Sequence, residues 1–270
     1  MCLLIVLSGV HPEWPLVVAA NRDEWLARPA SPVQVLRPGG RGSGDAPRVL
    51  GGRDEVAGGT WLAINEAGVV AGLTNRPTDG ARDPAKRSRG ELPLMLAEWR
   101  TAAAAVGAFA KAAHPRDYNP CWMLVGDRAS LHYIDFTATA GLEHPHPAPL
   151  PPGVYVLENR ALRAESPKAE AILSALAPCA TWSGDALVPK LQEILGDHNI
   201  PVPVQRAAAA GQGLSRPLET QAACVHAGPY GTRSSAIVLV PPDRGKPPVV
   251  HYTDGPPCTA PWATATELWS

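Results

Sequence analysis

Cys2 is the residue of this sequence with the clearest capacity for covalent chemistry. Removal of Met1, which cytosolic processing favours before a small residue, would give residue 2 both a thiol and a free α-amine. Their ordinary pKa values are about 8.5 and about 7.7–8.0, so a proton could pass from sulfur to nitrogen near neutral pH. N-terminal residues that supply their own base are recognised nucleophiles. On position alone, a small apolar residue that begins a core strand is the simpler interpretation.

The polar stretch 21–24, Asn-Arg-Asp-Glu, is the partner that the sequence offers to Cys2. Residues 2–8 and 16–20 are β-prone and flank a Gly- and Pro-containing turn, which predicts a hairpin. If Ser8 pairs near Leu16, Cys2 lies opposite Arg22, within one residue. Alternation sends residues 21 and 23 to one face and residues 22 and 24 to the other. A carboxylate there could hold the ammonium; a solvated strand end is the alternative.

The remaining elements must position these residues. Further strands are predicted at 60–65, 69–74, 121–125, 131–136, 154–157, 222–226, 234–240 and 249–252, and helices at 91–113, 166–176 and 185–196, with loops at 138–152 and 207–217. Strands come as hairpins and helices in blocks between them, which indicates an α+β fold of antiparallel sheet layers covered by helices. No linker divides the chain, so we expect one domain over residues 1–270.

Composition excludes several classes of protein. The net charge is −1 and 18% of residues are charged, which gives no electrostatic reason to expect nucleic acid or an anionic membrane as partner. No apolar run predicts an integral membrane segment, and the opening segment lacks the basic residues of a signal peptide, so a cytoplasmic location is expected. The sequence predicts no oligomeric state.

Cysteine and histidine spacing predicts neither a disulfide framework nor a metal site. The five cysteines are widely spaced, no Cys-x-x-Cys occurs, and the eight histidines do not cluster in the sequence. Cys121, Cys179 and Cys224 lie among small or apolar neighbours and are expected to be inert. No cofactor is predicted.

Several blocks carry a resemblance to a known family. They are Cys2, Ala20 to Glu24, Arg28-Pro29, Gly59 to Asn65, Gly72 to Arg76, Ser88-Arg89-Gly90 and Tyr230 to Ser234. In this order the chain resembles the NRDE family, whose eukaryotic members are called transport and Golgi organisation protein 2. That family is similar to the N-terminal-nucleophile hydrolases, above all to the choloylglycine hydrolase and penicillin V acylase group. The resemblance implies an αββα four-layer sandwich and cleavage of linear, non-peptide C–N amide bonds.

The resemblance also implies roles for particular residues. Cys2 would be the nucleophile and its amine the base, and Asp23 would contact that amine. Asn75 and Asn159 would be the oxyanion and positioning asparagines, and Arg233 the cation that lowers the pKa of the thiol. Without the family, both asparagines would be read as turn residues and Arg233 as a surface arginine.

Asn21, Arg22 and Trp61 are expected to bind substrate, although a tryptophan is more often a packing residue. One departure concerns the arginine that the acylase pattern places three residues before the aspartate, because that position is Ala20 here. Arg22 on a regular strand faces away from Asp23. Either Arg22 reaches the site by local twisting, or the site is rebuilt or silent.

Two functions are therefore predicted as alternatives. The first is an amidohydrolase that forms an acyl-thioester at Cys2 and takes a small amide or acyl compound as substrate. The second is a non-catalytic ligand-binding or trafficking protein with haem or a lipid or acyl compound as partner. Ala20 and the eight tryptophans favour the second. The absence of a Cys-Pro haem motif, and of a histidine obviously placed as an axial ligand, weighs against haem.

Overall fold

Two antiparallel sheets form the centre of the protein. The computed structural model describes residues 2–40, 46–78, 80, 82–139, 144–214 and 216–270. The strands are β1 (Cys2–Ser8), β2 (Leu16–Trp25), β3 (Ala30–Arg37), β4 (Val49–Asp54), β5 (Leu62–Asn65), β6 (Val70–Asn75), β7 (Cys121–Gly126), β8 (Leu131–Phe136), β9 (Ala148–Leu150), β10 (Gly153–Leu157), β11 (His226–Ala227), β12 (Tyr230–Val240), β13 (Val249–Thr253) and β14 (Ala263–Thr264).

The helices are α1 (Glu91–Leu96), α2 (Ala102–Ala112), α3 (Pro167–Leu176), α4 (Gly184–Leu195) and α5 (Val202–Ala209). One sheet, the Cys2 sheet, has the strand order β10-β1-β2-β12-β13-β14, with β11 paired to β12. The other, the Asn75 sheet, runs β3-β4-β5-β6-β7-β8-β9. No helix in the described part of the chain is long and apolar enough to cross a bilayer.

Side-chain alternation along the strands separates three layers of core. In β1, Leu4 and Val6 face the other sheet, whereas Leu3 and Ile5 pack on the outer side. The central core lies between the sheets. A second core lies between the Cys2 sheet and α3 and α4, and a third between the Asn75 sheet and α1 and α2. The predicted αββα four-layer sandwich is confirmed.

The predicted helix over 91–113 is wrong in one respect, because the segment forms two helices. Asn65 accounts for the break, since its Nδ2 donates to the carbonyl oxygens of Ala97 and Trp99 at 2.9 and 2.8 Å. Those carbonyls are thereby turned away from helical hydrogen bonding. Thr101 then caps α2 by accepting a hydrogen bond from the Ala104 N–H.

The edge of the Asn75 sheet is not predicted from the sequence, and two later predictions, the loop at 207–217 and the strand at 222–226, need correction. Strand β3 contains Pro32, is half-buried and pairs irregularly with β4, so it shows no clear alternation. The strand predicted at 222–226 shrinks to β11, and helix α5 ends at Ala209, inside the predicted loop 207–217. The predicted loop 138–152 contains β9, and its residues 140–143 lie outside the described residues.

Candidate active site

A cavity of about 310 Å³ opens where β1 begins and β2 ends. We call it the Cys2 cavity. Its described lining residues include Cys2, Arg22, Asp23, Glu24, Trp25, Arg28, Asp54, Gly59, Thr60, Trp61, Asn75, Arg82, Ser88, Arg89 and Gly90. The predicted hairpin register is confirmed, because Ser8 pairs with Leu16 and Cys2 with Arg22. Cys2 lines this cavity and is only 8% exposed.

Asn159 joins the start of β1 to the facing sheet. It lies two residues beyond the end of β10, where the β1–β10 register brings it opposite Cys2. Its Oδ1 accepts a hydrogen bond from the Cys2 backbone N–H at 3.0 Å, and its Nδ2 donates to the carbonyl oxygen of Asn75. Asn159 is 4% exposed. Its amide therefore holds the nitrogen of Cys2 against the last residue of β6.

The thiol of Cys2 is kept protonated by its surroundings. Burial raises its pKa, and the nearby charge of Asp23 raises it further. The positive charge of Arg22 and a hydrogen bond from the backbone N–H of Asp23 act in the opposite direction, but the pKa stays above its ordinary value. A reaction at this sulfur consequently requires a base that removes the proton.

Asp23 lies at the strand end with its carboxylate on the outer, helix-covered side. Oδ1 accepts a hydrogen bond from the Thr232 hydroxyl at 2.6 Å. Burial raises the pKa of Asp23, while the charge of Lys168 on α3 and the Thr232 hydrogen bond lower it, with a net rise. Sequence reasoning found neither Lys168 nor Thr232, because a lysine near a helix start and a threonine in a strand carry no signal of their own.

Arg22 occupies the cavity side of β2 because it is the cross-strand partner of Cys2. No twisting of β2 is needed, since residues directly opposite in an antiparallel pair share a face. Nη2 lies 3.1 Å from Oδ2 of Asp54, which Arg28 also contacts at 2.8 Å. Arg22 is 6% exposed, and its Nη1 makes no hydrogen bond to any described residue. Arg22 is thus a buried cation in the wall of the cavity, with N–H groups on Nη1 that can donate hydrogen bonds to a ligand.

Three of the predicted site residues are not among the described residues that line the Cys2 cavity: Asn159, which contacts the Cys2 nitrogen from the neighbouring cavity, Asn21 and Arg233. Asn21 points to the helix side, where Nδ2 donates to the carbonyl oxygens of Leu195 and Ala223, each at 2.9 Å, and Oδ1 accepts from Ser235. Arg233 is the extra residue of a β-bulge in β12 and forms an ion pair with Asp254 at 2.8 Å. The arginine beside the thiol is therefore Arg22 and not Arg233.

Gly59 and Gly90 bring two lining segments into backbone contact. A Cβ atom on Gly59 would lie 2.4 Å from the carbonyl carbon of Gly90, and the Thr60 N–H donates to the Gly90 carbonyl at 3.0 Å. This approach places Arg89 over the cavity, where burial lowers its pKa. Sequence reasoning gave these glycines and Arg89 no role in the site.

A second, apolar cavity of about 600 Å³ lies beside the first, and the two share Trp25 and Asn75. Its other described lining residues are Arg76, Pro77, Asn159, Arg216, Pro217, Thr220, Ala227, Pro229 and Tyr230. We call it the apolar cavity. Trp25 and Asn75 therefore lie between the polar and apolar sides of the site.

The fold of this chain is like that of the N-terminal-nucleophile hydrolases. An N-acylethanolamine-hydrolysing acid amidase orthologue from Caenorhabditis elegans is similar with a TM-score of 0.54 and 13% identity, over 91% of this chain and 94% of that one. A variant of the conjugated bile acid hydrolase from Clostridium perfringens gives 0.54 and 12%, over 100% and 94%. These likenesses show the fold.

Sequence comparison identifies the family. The family model described as Transport and Golgi organisation 2 matches residues 1–248, so the chain belongs to the Transport and Golgi organisation 2 family. The homologue from Bos taurus is 29% identical over 258 residues, which are 90% of each chain. The Mus musculus homologue is 27% identical over 255 residues, 89% of this chain and 88% of that one.

Proposed function

We propose that the protein is an amidohydrolase in which Cys2, freed by removal of Met1, attacks a linear, non-peptide amide. The observation that carries this proposal is the position of Cys2, with its sulfur in a polar cavity and its nitrogen bonded to Asn159. The same residue would then supply nucleophile and base. Both solved structures compared above are named as hydrolases, and one as an amidase.

In the acylation step the neutral α-amine takes the thiol proton as sulfur forms a bond to the amide carbonyl carbon. This base is needed because burial keeps the pKa of the thiol high. The amine then returns the proton to the substrate nitrogen, the C–N bond breaks, and an amine leaves from an acyl-thioester on Cys2. Asn159 Oδ1 fixes the position of the amine through the bond that it accepts from the Cys2 nitrogen.

Deacylation reverses the roles. The amine removes a proton from water, the oxygen attacks the thioester carbonyl, and the C–S bond breaks to give a carboxylic acid and the free thiol. The negative charge on the carbonyl oxygen needs donors in each step. Nδ2 of Asn159 carries a second hydrogen besides the one donated to Asn75, and Asn75 lines the Cys2 cavity.

The cavities indicate a substrate with one polar and one apolar end. Four arginines, at positions 22, 28, 82 and 89, line the Cys2 cavity, and Nη1 of Arg22 has no partner among the described residues. An anionic or strongly polar leaving group suits that side. The apolar cavity, with Trp25 and Tyr230, suits an acyl chain. We therefore expect N-acylated amino acids or related acyl amides as substrates.

The test measures hydrolysis of N-octanoyl amino acids and an octanoyl aminocoumarin amide by wild type, Cys2→Ala and Cys2→Ser. We expect an intact mass lower by one methionine, an acyl adduct on Cys2, and at least a thousandfold loss of turnover, roughly, in Cys2→Ala. Cys179→Ala is the matched control because Cys179 is also buried but packs under α3 and α4. Equal turnover in Cys2→Ala, or a retained Met1, would contradict the proposal.

The apolar cavity supports ligand binding without catalysis as a second candidate. Cys2 is not among its described lining residues, so Cys2→Ala should bind a fluorescent fatty acid as tightly as wild type does. No histidine, cysteine or methionine is found among those residues either, and the Tyr230 hydroxyl donates to the Asp23 carbonyl, so an acyl compound suits the cavity better than haem. Binding of the fatty acid by an unprocessed protein without turnover would favour this candidate. If neither wild type nor Cys2→Ala binds the fatty acid, this candidate function is excluded.

A further inference from the structure

Four side chains that are far apart in the sequence meet on the outer side of the Cys2 sheet. They are His198, just after α4, Cys224 and His226, around the start of β11, and Cys258, after β13. One ligand atom from each lies within 4.8 Å of all the others. We call this group the four-ligand cluster. It shares no residue with the described lining of the Cys2 cavity.

The separations within the cluster match the edges of a metal-centred tetrahedron. The two sulfurs are 3.7 Å apart, and His226 Nε2 lies 3.7 Å from Cys224 Sγ and 3.3 Å from Cys258 Sγ. A zinc ion with Zn–S bonds of about 2.3 Å and Zn–N bonds of about 2.0–2.1 Å requires about 3.8 Å between sulfurs and about 3.6 Å between sulfur and nitrogen. Three edges are therefore already in place.

His198 completes the set and has the hydrogen bond that orients a metal ligand. Its Nδ1 lies 3.3 Å from the carbonyl oxygen of Cys224, and its ring centroid lies 4.8 Å from that of His226. Metal-bound histidines usually donate their second ring N–H to such a carbonyl, which leaves Nε2 for the ion. The backbone N–H of Cys224 also donates to the Asp197 carbonyl at 2.8 Å, so the two segments are held together without the ion.

We propose that the four-ligand cluster binds one Zn²⁺ ion as a structural, tetrahedral Cys₂His₂ site. Two thiolates would neutralise the charge of the ion, and their two protons would pass to solvent on binding. Four protein ligands leave no open position, which is typical of structural sites and not of catalytic ones. The sequence does not predict this site, because only Cys224 and His226 are near each other in the chain and Cys224 has the small or apolar neighbours of an inert cysteine.

The site would hold together the segments that support Asp23 and Asn21. The Val225 N–H donates to the Thr232 hydroxyl at 2.9 Å, and that hydroxyl donates to Asp23. Asn21 donates to the carbonyl of Ala223, next to Cys224. Loss of the ion should therefore loosen the outer side of β2, even though no ligand lines the Cys2 cavity.

The metal content of the full-length protein, purified under reducing conditions, is measured by inductively coupled plasma mass spectrometry. Zinc should be present at about one equivalent per chain, and Co²⁺ in its place should give thiolate-to-cobalt charge-transfer and tetrahedral d–d bands. Cys258→Ser should weaken zinc affinity at least about tenfold, measured against a chromophoric chelator. We choose Cys258 because it is exposed, so its serine variant should fold, and Cys179→Ser, at a buried free cysteine, is the control.

Removal of zinc with a chelator should lower the Tm of wild type, and that effect should be absent in Cys258→Ser. The proposal is overturned if reduced wild-type protein neither contains zinc nor binds Zn²⁺ or Co²⁺ at one equivalent. It is also overturned if Cys258→Ser and wild type bind the ion equally well. Isolation with a Cys224–Cys258 disulfide, and no metal binding after its reduction, would assign the two sulfurs a redox role instead.

Discussion

Asn159→Ala is expected to weaken the fold and the reactivity of Cys2 together. The variant removes the acceptor for the Cys2 nitrogen and the donor for the Asn75 carbonyl. The Cys2 N–H would stay buried and the Asn75 carbonyl partly buried, and a buried group left without a partner costs about 1–3 kcal/mol. Allowing for some entry of water from the neighbouring cavities, we expect a loss of about 2–4 kcal/mol in the free energy of unfolding. For a chain of this length that corresponds to a Tm lower by about 4–16 °C.

Asn65→Ala is the matched control for this variant. Asn65 is also a buried asparagine whose side chain makes several backbone hydrogen bonds, but it lies at the other end of β6, away from the Cys2 cavity. Its replacement should cost as much stability or more. Turnover below the unfolding temperature should change less than about twofold, whereas Asn159→Ala should lose about 10- to 100-fold in kcat because the amine is misplaced.

The assays are urea unfolding followed by tryptophan fluorescence, and kcat and KM for the octanoyl amide as a function of pH. An unfolding free energy of Asn159→Ala within about 0.5 kcal/mol of wild type would mean that the bridge between the sheets contributes little. Equal losses of kcat in both asparagine variants would mean that Asn159 acts through stability alone. Either result would refute the positioning role.

Three further variants, the first with a matched control, test other parts of the structure. Gly59→Ala should destabilise the protein by about 2 kcal/mol or more in urea unfolding, because the new Cβ would meet the backbone of Gly90. The control, Gly107→Ala, lies at an open position of helix α2 and should stabilise the protein by about 0.5–1 kcal/mol. Equal effects of the two variants would contradict the close contact at Gly59. Burial acts to raise the pKa of Asp54, but hydrogen bonds from an arginine and a backbone N–H hold that pKa below its ordinary value. The ionised carboxylate of Asp54 therefore stabilises the fold above about pH 4, and this stabilisation is lost as the pH falls through the folded-state pKa. Asp54→Asn should destabilise the protein at pH 7 and progressively less in acid. Urea unfolding at each pH measures this difference. Lys168→Met removes a positive charge that lowers the pKa of Asp23. If catalysis requires ionised Asp23, the acid limb of the kcat/KM profile should move to higher pH in this variant. An unchanged pH profile would exclude that requirement.

Local patterns in the sequence predicted the hairpins well. The β1–β2 register follows from the turn between Ser8 and Leu16, because one fixed pair sets every other pair in an antiparallel hairpin. The placement of Cys2 beside Arg22 was therefore available from the sequence. The role of Ala20 was harder to judge. The arginine of this chain that lies beside Cys2 is its cross-strand partner, Arg22.

Features that depend on distant segments could not be predicted in this way. The bond between Cys2 and Asn159 arises because β10 returns to pair with β1, and nothing near either residue indicates that pairing. Arg233 was misplaced because one bulge residue reverses the side-chain alternation of a strand. The four-ligand cluster joins three chain segments, so its spacing resembles no recognised zinc pattern.

The position of β1 inside its sheet also determines when the first residue could be trimmed. β1 is flanked by β2, which follows at once, and by β10, which begins only at Gly153. At about 5–20 residues per second, a ribosome needs roughly 8–30 s to make the chain between Cys2 and β10. During that interval the leading strand has a free edge and an aminopeptidase has access to it. Once β10 has docked, Cys2 is buried, so the proposed removal of Met1 would take place during synthesis, before that docking.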